Sequence, residues 1–272
     1  MSDYPLYLAA RNGDIERARE LIAQGHDVNK RPRFTRSTTP LLCVLRSRYD
    51  AVPTKLDMVQ FLVDYGADLE ARDGDGWTPL HSAVYNSDFL IFKFLLFRGA
   101  DIAAKTKLGR TVLHTIVLQD HPPAWVNLVF ATTEDARTLL SMKDHNGDTP
   151  LHHAKSLVSA KALVEYGFDV ATSGMESTWM CPSLLSVRND RNRTPLERAA
   201  IYGRKEVEKY LNSFTSLPLV HLTTMKLSPG MNEFQRFLAR RVYFTTLCKL
   251  PLGNKDLALR VMTFLSPGDV MK

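Results

Sequence analysis

Cysteine is scarce in this chain of 272 residues: Cys43, Cys181 and Cys248 stand far apart. Such spacing excludes a disulfide framework and the close pairs of a zinc site, and it fits a reducing compartment. Long apolar runs are missing too. The most apolar window, Phe89 to Phe97, is too short to span a bilayer and contains Lys93. Met1 to Leu8 lacks the basic flank and apolar run of a signal peptide. The expected location is therefore the cytosol, or cytosol and nucleus, with no membrane partner. No Gly-rich phosphate loop, nucleophile elbow or His-Glu-x-x-His pattern occurs. Nothing in the spacing brings two carboxylates together for acid/base work. The expectation is a non-catalytic protein without a cofactor or a metal.

Strong charge of one sign is also lacking. A formal charge of +6 is a modest excess, and the basic residues are dispersed. The densest group is Lys30, Arg31, Arg33 and Arg36 around Phe34. It could meet phosphates, but such a group is more often a solvated loop, and a nucleic-acid partner held there would show strong salt dependence. Nucleic acid ranks last among the partner classes.

What the chain does have is a phrase that returns. Thr78-Pro79-Leu80-His81-Ser82-Ala83 and Thr149-Pro150-Leu151-His152-His153-Ala154 are its clearest copies. Thr194-Pro195-Leu196-Glu197 replaces the histidine, Thr39-Pro40-Leu41-Leu42 keeps the opening, Thr111-Val112-Leu113-His114 loses the proline, and Tyr4-Pro5-Leu6 is a degenerate first copy. Measured at the proline position, successive copies lie 35, 39, 33, 38 and 45 residues apart. A second phrase closes several units: Gly25-His26-Asp27-Val28, Gly66-Ala67-Asp68-Leu69, Gly99-Ala100-Asp101-Ile102 and Gly167-Phe168-Asp169-Val170. Two phrases in register are far harder to obtain by chance than one.

The residues account for their own positions. Thr before Pro starts a helix, because the hydroxyl caps free N–H groups and proline at the first position forfeits no hydrogen bond. Leu80 and Ala83 then share one face. Val59, Phe61, Leu62 and Val63, and again Phe94, Leu95 and Leu96, mark second helices, with Gly66 and Gly99 expected as left-handed caps. From Tyr4 to about Leu211 the chain resembles the ankyrin-repeat family, in which each unit is a hairpin-like turn followed by two antiparallel helices. The resemblance implies an all-α solenoid of about six units, some degenerate.

It also assigns roles. The histidines of the phrase, His81, His114, His152 and the adjacent His153, are expected to brace neighbouring turns through backbone hydrogen bonds, each within its own repeat. Asp144, Asp148, Asp169 and Asp190 are expected to stabilise turns. Partners of such proteins usually lie across the turn tips and first helices, which here would present Arg33, Phe34, Arg36, Asp75, Trp77, Lys107, Leu108, Arg110 and His145 to a target protein. Trp77 is the first choice of anchor, although an indole there could equally pack against the next turn. Two insertions depart from the family pattern: Arg46 to Lys55 between the helices of the second unit, and Ala171 to Arg191 before the last. Trp179, Met180 and Pro182 in the latter could form an interaction knob or cover a core edge.

Beyond Leu211 the rhythm breaks at Ser213, Ser216, Pro218, Ser228, Pro229 and Gly230. Asn232 can cap a helix with Phe234, Phe237, Leu238 and Val242 on one face. The run from Leu250 to Val270 resembles the start of an F-box: Leu-Pro, an acidic residue, an apolar helix, then Ser-Pro-Gly-Asp-Val, with three residues inserted after Leu-Pro. A shortened F-box-like end on an ankyrin array is the organisation of PRANC proteins, seen in poxvirus host-range factors, some intracellular bacteria and parasitoid wasps. The resemblance implies that Leu250, Pro251, Leu257, Val261, Met262, Leu265, Pro267 and Val270 would dock the Skp adaptor of a cullin-RING ubiquitin ligase. The plainer reading is a hydrophobic cap on the solenoid end.

The expected organisation is thus an ankyrin domain over 1–213, a linker over 214–231 and a helical tail over 232–272. Two functions follow from it. One is an adaptor that recruits a target to an SCF-type ligase, with a host–virus setting implied by the PRANC likeness. The other is an ankyrin scaffold or inhibitor that sequesters a signalling or transcription factor.

Overall fold

The structure is a computed structural model that describes residues 4–32, 38–47, 52–133, 136–172 and 184–215. Two compact units divide the chain, Met1–Leu211 and Asn212–Lys272. Among the described residues there is no strand. Helices come in consecutive pairs: α1 (Pro5–Asn12) with α2 (Ile15–Ala23), α3 (Pro40–Arg46) with α4 (Val52–Asp64), α5 (Pro79–Tyr85) with α6 (Phe89–Phe97), and α7 (Val112–Gln119) with α8 (Pro123–Ala131). A short additional helix, α9 (Ala136–Ser141), follows. Then α10 (Pro150–His153) pairs with α11 (Leu157–Thr172), and α12 (Pro195–Ile201) with α13 (Lys205–Thr215). No described helix is long and apolar enough to cross a membrane.

The starts of the first helices are set by the recurring phrase. The hydroxyls of Thr39, Thr78 and Thr194 accept from the backbone N–H of Leu42, His81 and Glu197. At Thr111 and Thr149 the cap is reciprocal, with the histidine three residues on accepting from the threonine N–H. Gly66 and Gly99 close second helices with φ of +86° and +88°, as expected. A different outcome holds at Gly167-Phe168-Asp169-Val170, which lies inside α11. Among the described residues, the next hairpin turn is the one at Asn189–Arg193. The second-unit insertion is likewise shorter than expected: Arg46 belongs to α3, and Lys55 to α4.

First helices stack in chain order, α1 on α3, α5, α7, α10 and α12, while α4, α6, α8 and α11 form the second row. A first helix held between two others and its own partner has little free surface. In α5, Pro79 through Val84 are all buried, and only the terminal Tyr85 is exposed. The core runs through Leu41, Leu45, Met58, Leu62, Leu80, Phe92, Leu95, Leu113 and Ile116. Each such side chain contributes about 2 kcal/mol by leaving water. Lys55 of α4 makes a 2.6 Å ion pair with Asp88 at the start of α6, tying two neighbours of the second row together; Asp88 makes no side-chain cap bond to α6.

Candidate protein-docking groove

Each hairpin turn is wound around one side-chain oxygen. Asp73 Oδ1 accepts from the N–H of Asp75 and Trp77, both at 2.9 Å. Thr106 Oγ1 does the same for Leu108 and Arg110, Asp144 Oδ1 for Asn146 and Asp148, and Asn189 Oδ1 for Arg191 and Arg193. The resulting tips are joined by backbone bonds: Lys107 N–H to Asp75 C=O at 3.1 Å, His145 to Leu108 at 3.0 Å and Asp190 to Asn146 at 3.1 Å. Glycine makes this approach feasible. A Cβ on Gly109 would sit 2.9 Å from the His145 nitrogen, and one on Gly147 would sit 2.6 Å from that of Asp190.

Behind the tips, three histidines latch each unit to the next. His81 Nε2–H donates to the Arg110 carbonyl (3.2 Å), His114 to Asp148 (3.0 Å) and His152 to Arg193 (3.0 Å). Since a carbonyl only accepts, the proton lies on Nε2, and each Nδ1 accepts from the phrase's threonine hydroxyl at 2.8–2.9 Å. Burial lowers the pKa of His81 and of His114 from 6.5 to about 4, and lowers that of His152 too. These rings are neutral and committed to structure, as the family resemblance implied. His121, which no repeated phrase marks, braces similarly: its Nε2 meets the Val84 carbonyl at 2.7 Å while the ring stacks on Trp125 at 4.2 Å.

His153 departs from the expectation. It makes no backbone brace but bonds Asp144 Oδ2 of its own repeat at 2.9 Å, and its ring lies 5.8 Å from that of His114 in the preceding repeat. The reason is position: His153 follows the latch residue by one and faces back to the anchor of its own turn. Asp144 and Asp148 thus form a buried cluster. Arg110 Nε lies 3.7 Å from Asp144, Arg198 pairs with Asp148, and Asn189 donates to Asp148 at 2.7 Å. Burial works to raise the pKa of Asp144, but the hydrogen bond from His153 and those from the Asn146 and Asp148 N–H groups outweigh it and hold the carboxyl below the usual range. One donor atom each from Asp144, Asp148 and His153 falls within 4.8 Å of the others, a spacing that could hold a cation. Their oxygens are already engaged, however, and a cation would face two guanidinium groups.

Of the residues expected to meet a partner, Asp75, Lys107, Leu108 and His145 are exposed at the tips, and Trp77 and Arg110 are half-buried. The Arg110 guanidinium points to the Asp144 cluster. Trp77 packs edge-on against Tyr85 of its own unit, centroids 5.1 Å apart. Both line an open cavity of about 360 Å³ with Arg46, Asp73, Asp75, Ser82 and Asn86. Tyr85 and Arg46 were not foreseen; their signal is that they end the two first helices flanking the cavity. Arg33, Phe34 and Arg36 lie outside the described residues, as do Trp179, Met180, Pro182 and the whole run from Leu250 to Val270.

The family model described as ankyrin repeats, in three copies, matches residues 6–106. The chain carries ankyrin repeats. An ankyrin repeat domain from Acinetobacter baumannii AYE superposes with a TM-score of 0.59 at 23% identity, covering 78% of this chain and 98% of that one. The ankyrin repeat protein EF0377 gives 0.56 at 21% identity with the same coverage. Both share the ankyrin fold. The mouse (Mus musculus) serine/threonine-protein kinase TNNI3K is 33% identical over 97 residues, 35% of this chain. The chain spans only 11% of the length of that kinase. Ankyrin repeats serve protein–protein interaction and are typically non-enzymatic scaffolds.

Proposed function

We propose that this protein is an adaptor whose ankyrin groove holds a target protein while its C-terminal F-box-like run engages the Skp adaptor of an SCF-type ubiquitin ligase. The observation that carries the binding half is the ladder of turn tips. Backbone and buried side chains fix Asp75, Lys107, Leu108 and His145 in a row, so side chains free of structural duty face outward on a rigid scaffold. The ligase half rests on the order Leu250-Pro251, Asp256, the apolar run Leu257 to Leu265, and Ser266-Pro267-Gly268-Asp269-Val270. Two sites on one chain raise the effective concentration of the target near the ligase. The setting is the cytoplasm or nucleus, of a host cell if the PRANC organisation applies.

The test is co-purification of the Skp adaptor with the full chain and with a version ending at Lys249, at equal expression. Recovery with the full chain alone supports the adaptor reading, and the target should then be depleted when the chain is expressed. Recovery with neither leaves a scaffold or inhibitor that blocks its partner without degrading it. Trp77→Ala, combined with cross-linking before capture, tests the groove itself: a target that binds there is lost from the variant.

A further inference from the structure

The groove contains one place whose chemistry selects a class of side chain. Trp77 and Tyr85 stand almost perpendicular, at 85° with centroids 5.1 Å apart, and make two walls of a corner. Tyr85 is 56% exposed, although it ends a helix whose other residues are buried. The corner opens onto the cavity of about 360 Å³. That volume is near the lower end of ligand sites, roughly 300–1,000 Å³, and suits one long side chain better than a larger molecule.

Among the described residues, three charged groups line the cavity: Arg46, Asp73 and Asp75. Arg46 and Asp73 cancel, being paired at 2.5 Å, and Asp73 spends its other oxygen on two turn N–H groups. Asp75 is different. Its backbone joins the tip ladder, but its exposed carboxylate has no ion-pair partner among the described residues within 4.0 Å. Among the described residues the cavity therefore carries one negative charge without a paired cation, beside two aromatic faces, and π faces attract cations.

We infer that the Trp77–Tyr85–Asp75 corner is a pocket for a cationic side chain, lysine or arginine, of the bound target. This inference rests on the groove reading and adds the partner's chemistry to it. The aromatic faces receive the alkyl stem and the charge, and Asp75 receives the ammonium or guanidinium head. An acidic side chain would meet Asp75 as a like charge.

The test follows the Trp77 indole N–H resonance of the full chain during titration with Nα-acetyl-lysinamide, Nα-acetyl-argininamide, neutral Nα-acetyl-norleucinamide and acidic Nα-acetyl-glutamate. The expected result is a saturable shift with either cationic probe and roughly tenfold weaker binding of the norleucine probe. Asp75→Asn should weaken the cationic probes several-fold and leave norleucine unchanged, while Tyr85→Leu should remove the preference. A shift with only one of the two cations supports the inference and names the side chain. Equal binding of norleucine, preference for glutamate, or no shift with either cation overturns it. Loss of target capture in Trp77→Ala would still uphold the groove reading in those cases, so the two failures are distinguishable.

Discussion

The junctions between the third and sixth units differ from the one between the second and third. At the former, His81, His114 and His152 each hydrogen-bond the following turn, and Asp144, Asp148, Arg110, His153 and Arg198 add a buried ionic cluster. At the latter, the histidine position holds Leu42, fully buried, and the cross-unit polar contacts include the Arg46–Asp73, Lys55–Asp88 and Arg98–Asp64 pairs, Arg31 to the Arg72 carbonyl and Asn86 to the Leu45 carbonyl. The same stacking problem is thus met by latching histidines between first helices in one region, and in the other by an apolar residue at the histidine position together with ion pairs, Arg46–Asp73 at the turn and Lys55–Asp88 and Arg98–Asp64 between second helices. The open cavity beside Trp77 falls in the second region.

The contrast breaks most sharply at Asp144. Asp144→Ala removes the acceptor of two turn N–H groups and strands His153 and Arg110 near a buried void. A cost of about 3–5 kcal/mol is expected in urea unfolding, as for other broken buried pairs. Arg46→Ala, which removes the 42% exposed partner but leaves the buried Asp73 its two turn N–H bonds, should cost less, about 1–2 kcal/mol. Equal costs would mean the two regions are held alike.

Acid provides the next test. The His81 and His114 rings accept a proton only at about pH 4 when folded, but near 6.5 when unfolded. Between those values the unfolded chain binds more protons, so stability is fully present above pH 6.5 and falls as pH drops towards 4. The loss is on the order of 3 kcal/mol per ring at the lower end. His81→Leu and His114→Leu together, imitating Leu42, should flatten stability across this window in pH-dependent melting. A persistent slope would place the acid sensitivity elsewhere.

Much of this was legible beforehand. The Thr-Pro-Leu phrase places the helix starts because its chemistry is local: a hydroxyl and a ring act within three residues. The turn tips followed from the same register, so Asp75, Lys107, Leu108 and His145 could be named as exposed. What stayed hidden depends on contacts between repeats. The pairing of His153 with Asp144 requires the turn to fold back over nine residues, and Arg110 was assigned outward because sequence spacing does not show a carboxylate 34 residues on. For Tyr85 the only signal was its place at the end of a first helix, and a helix-ending aromatic reads as core until the structure shows it exposed. The run of α11 past Gly167 was hidden because the local phrase, which closes other units, pointed to a cap there.

Glycine sharpens the distinction between backbone and stacking effects. Gly13 and Gly109 share a φ of +74°, but a Cβ at Gly13 meets nothing within 4 Å while one at Gly109 meets the His145 backbone. Gly13→Ala should cost about 1 kcal/mol, the conformational part alone. Gly109→Ala should cost more, about 2–3 kcal/mol, by forcing the tips apart. Matching values in urea melts would show that the ladder yields without loss.

The smallest effect is expected one residue away. Leu108 is 56% exposed, and its contribution to stacking is the carbonyl that accepts from His145, which every residue type keeps. Leu108→Ala should therefore change stability by less than about 0.5 kcal/mol, as exposed substitutions do. Its effect should appear instead in target capture, measured beside unfolding on the same preparation. Adjacent residues would then divide the work, with Gly109 holding the ladder and Leu108 using it. A stability loss above about 1 kcal/mol would instead make Leu108 part of the stack and narrow the groove to the Trp77 corner.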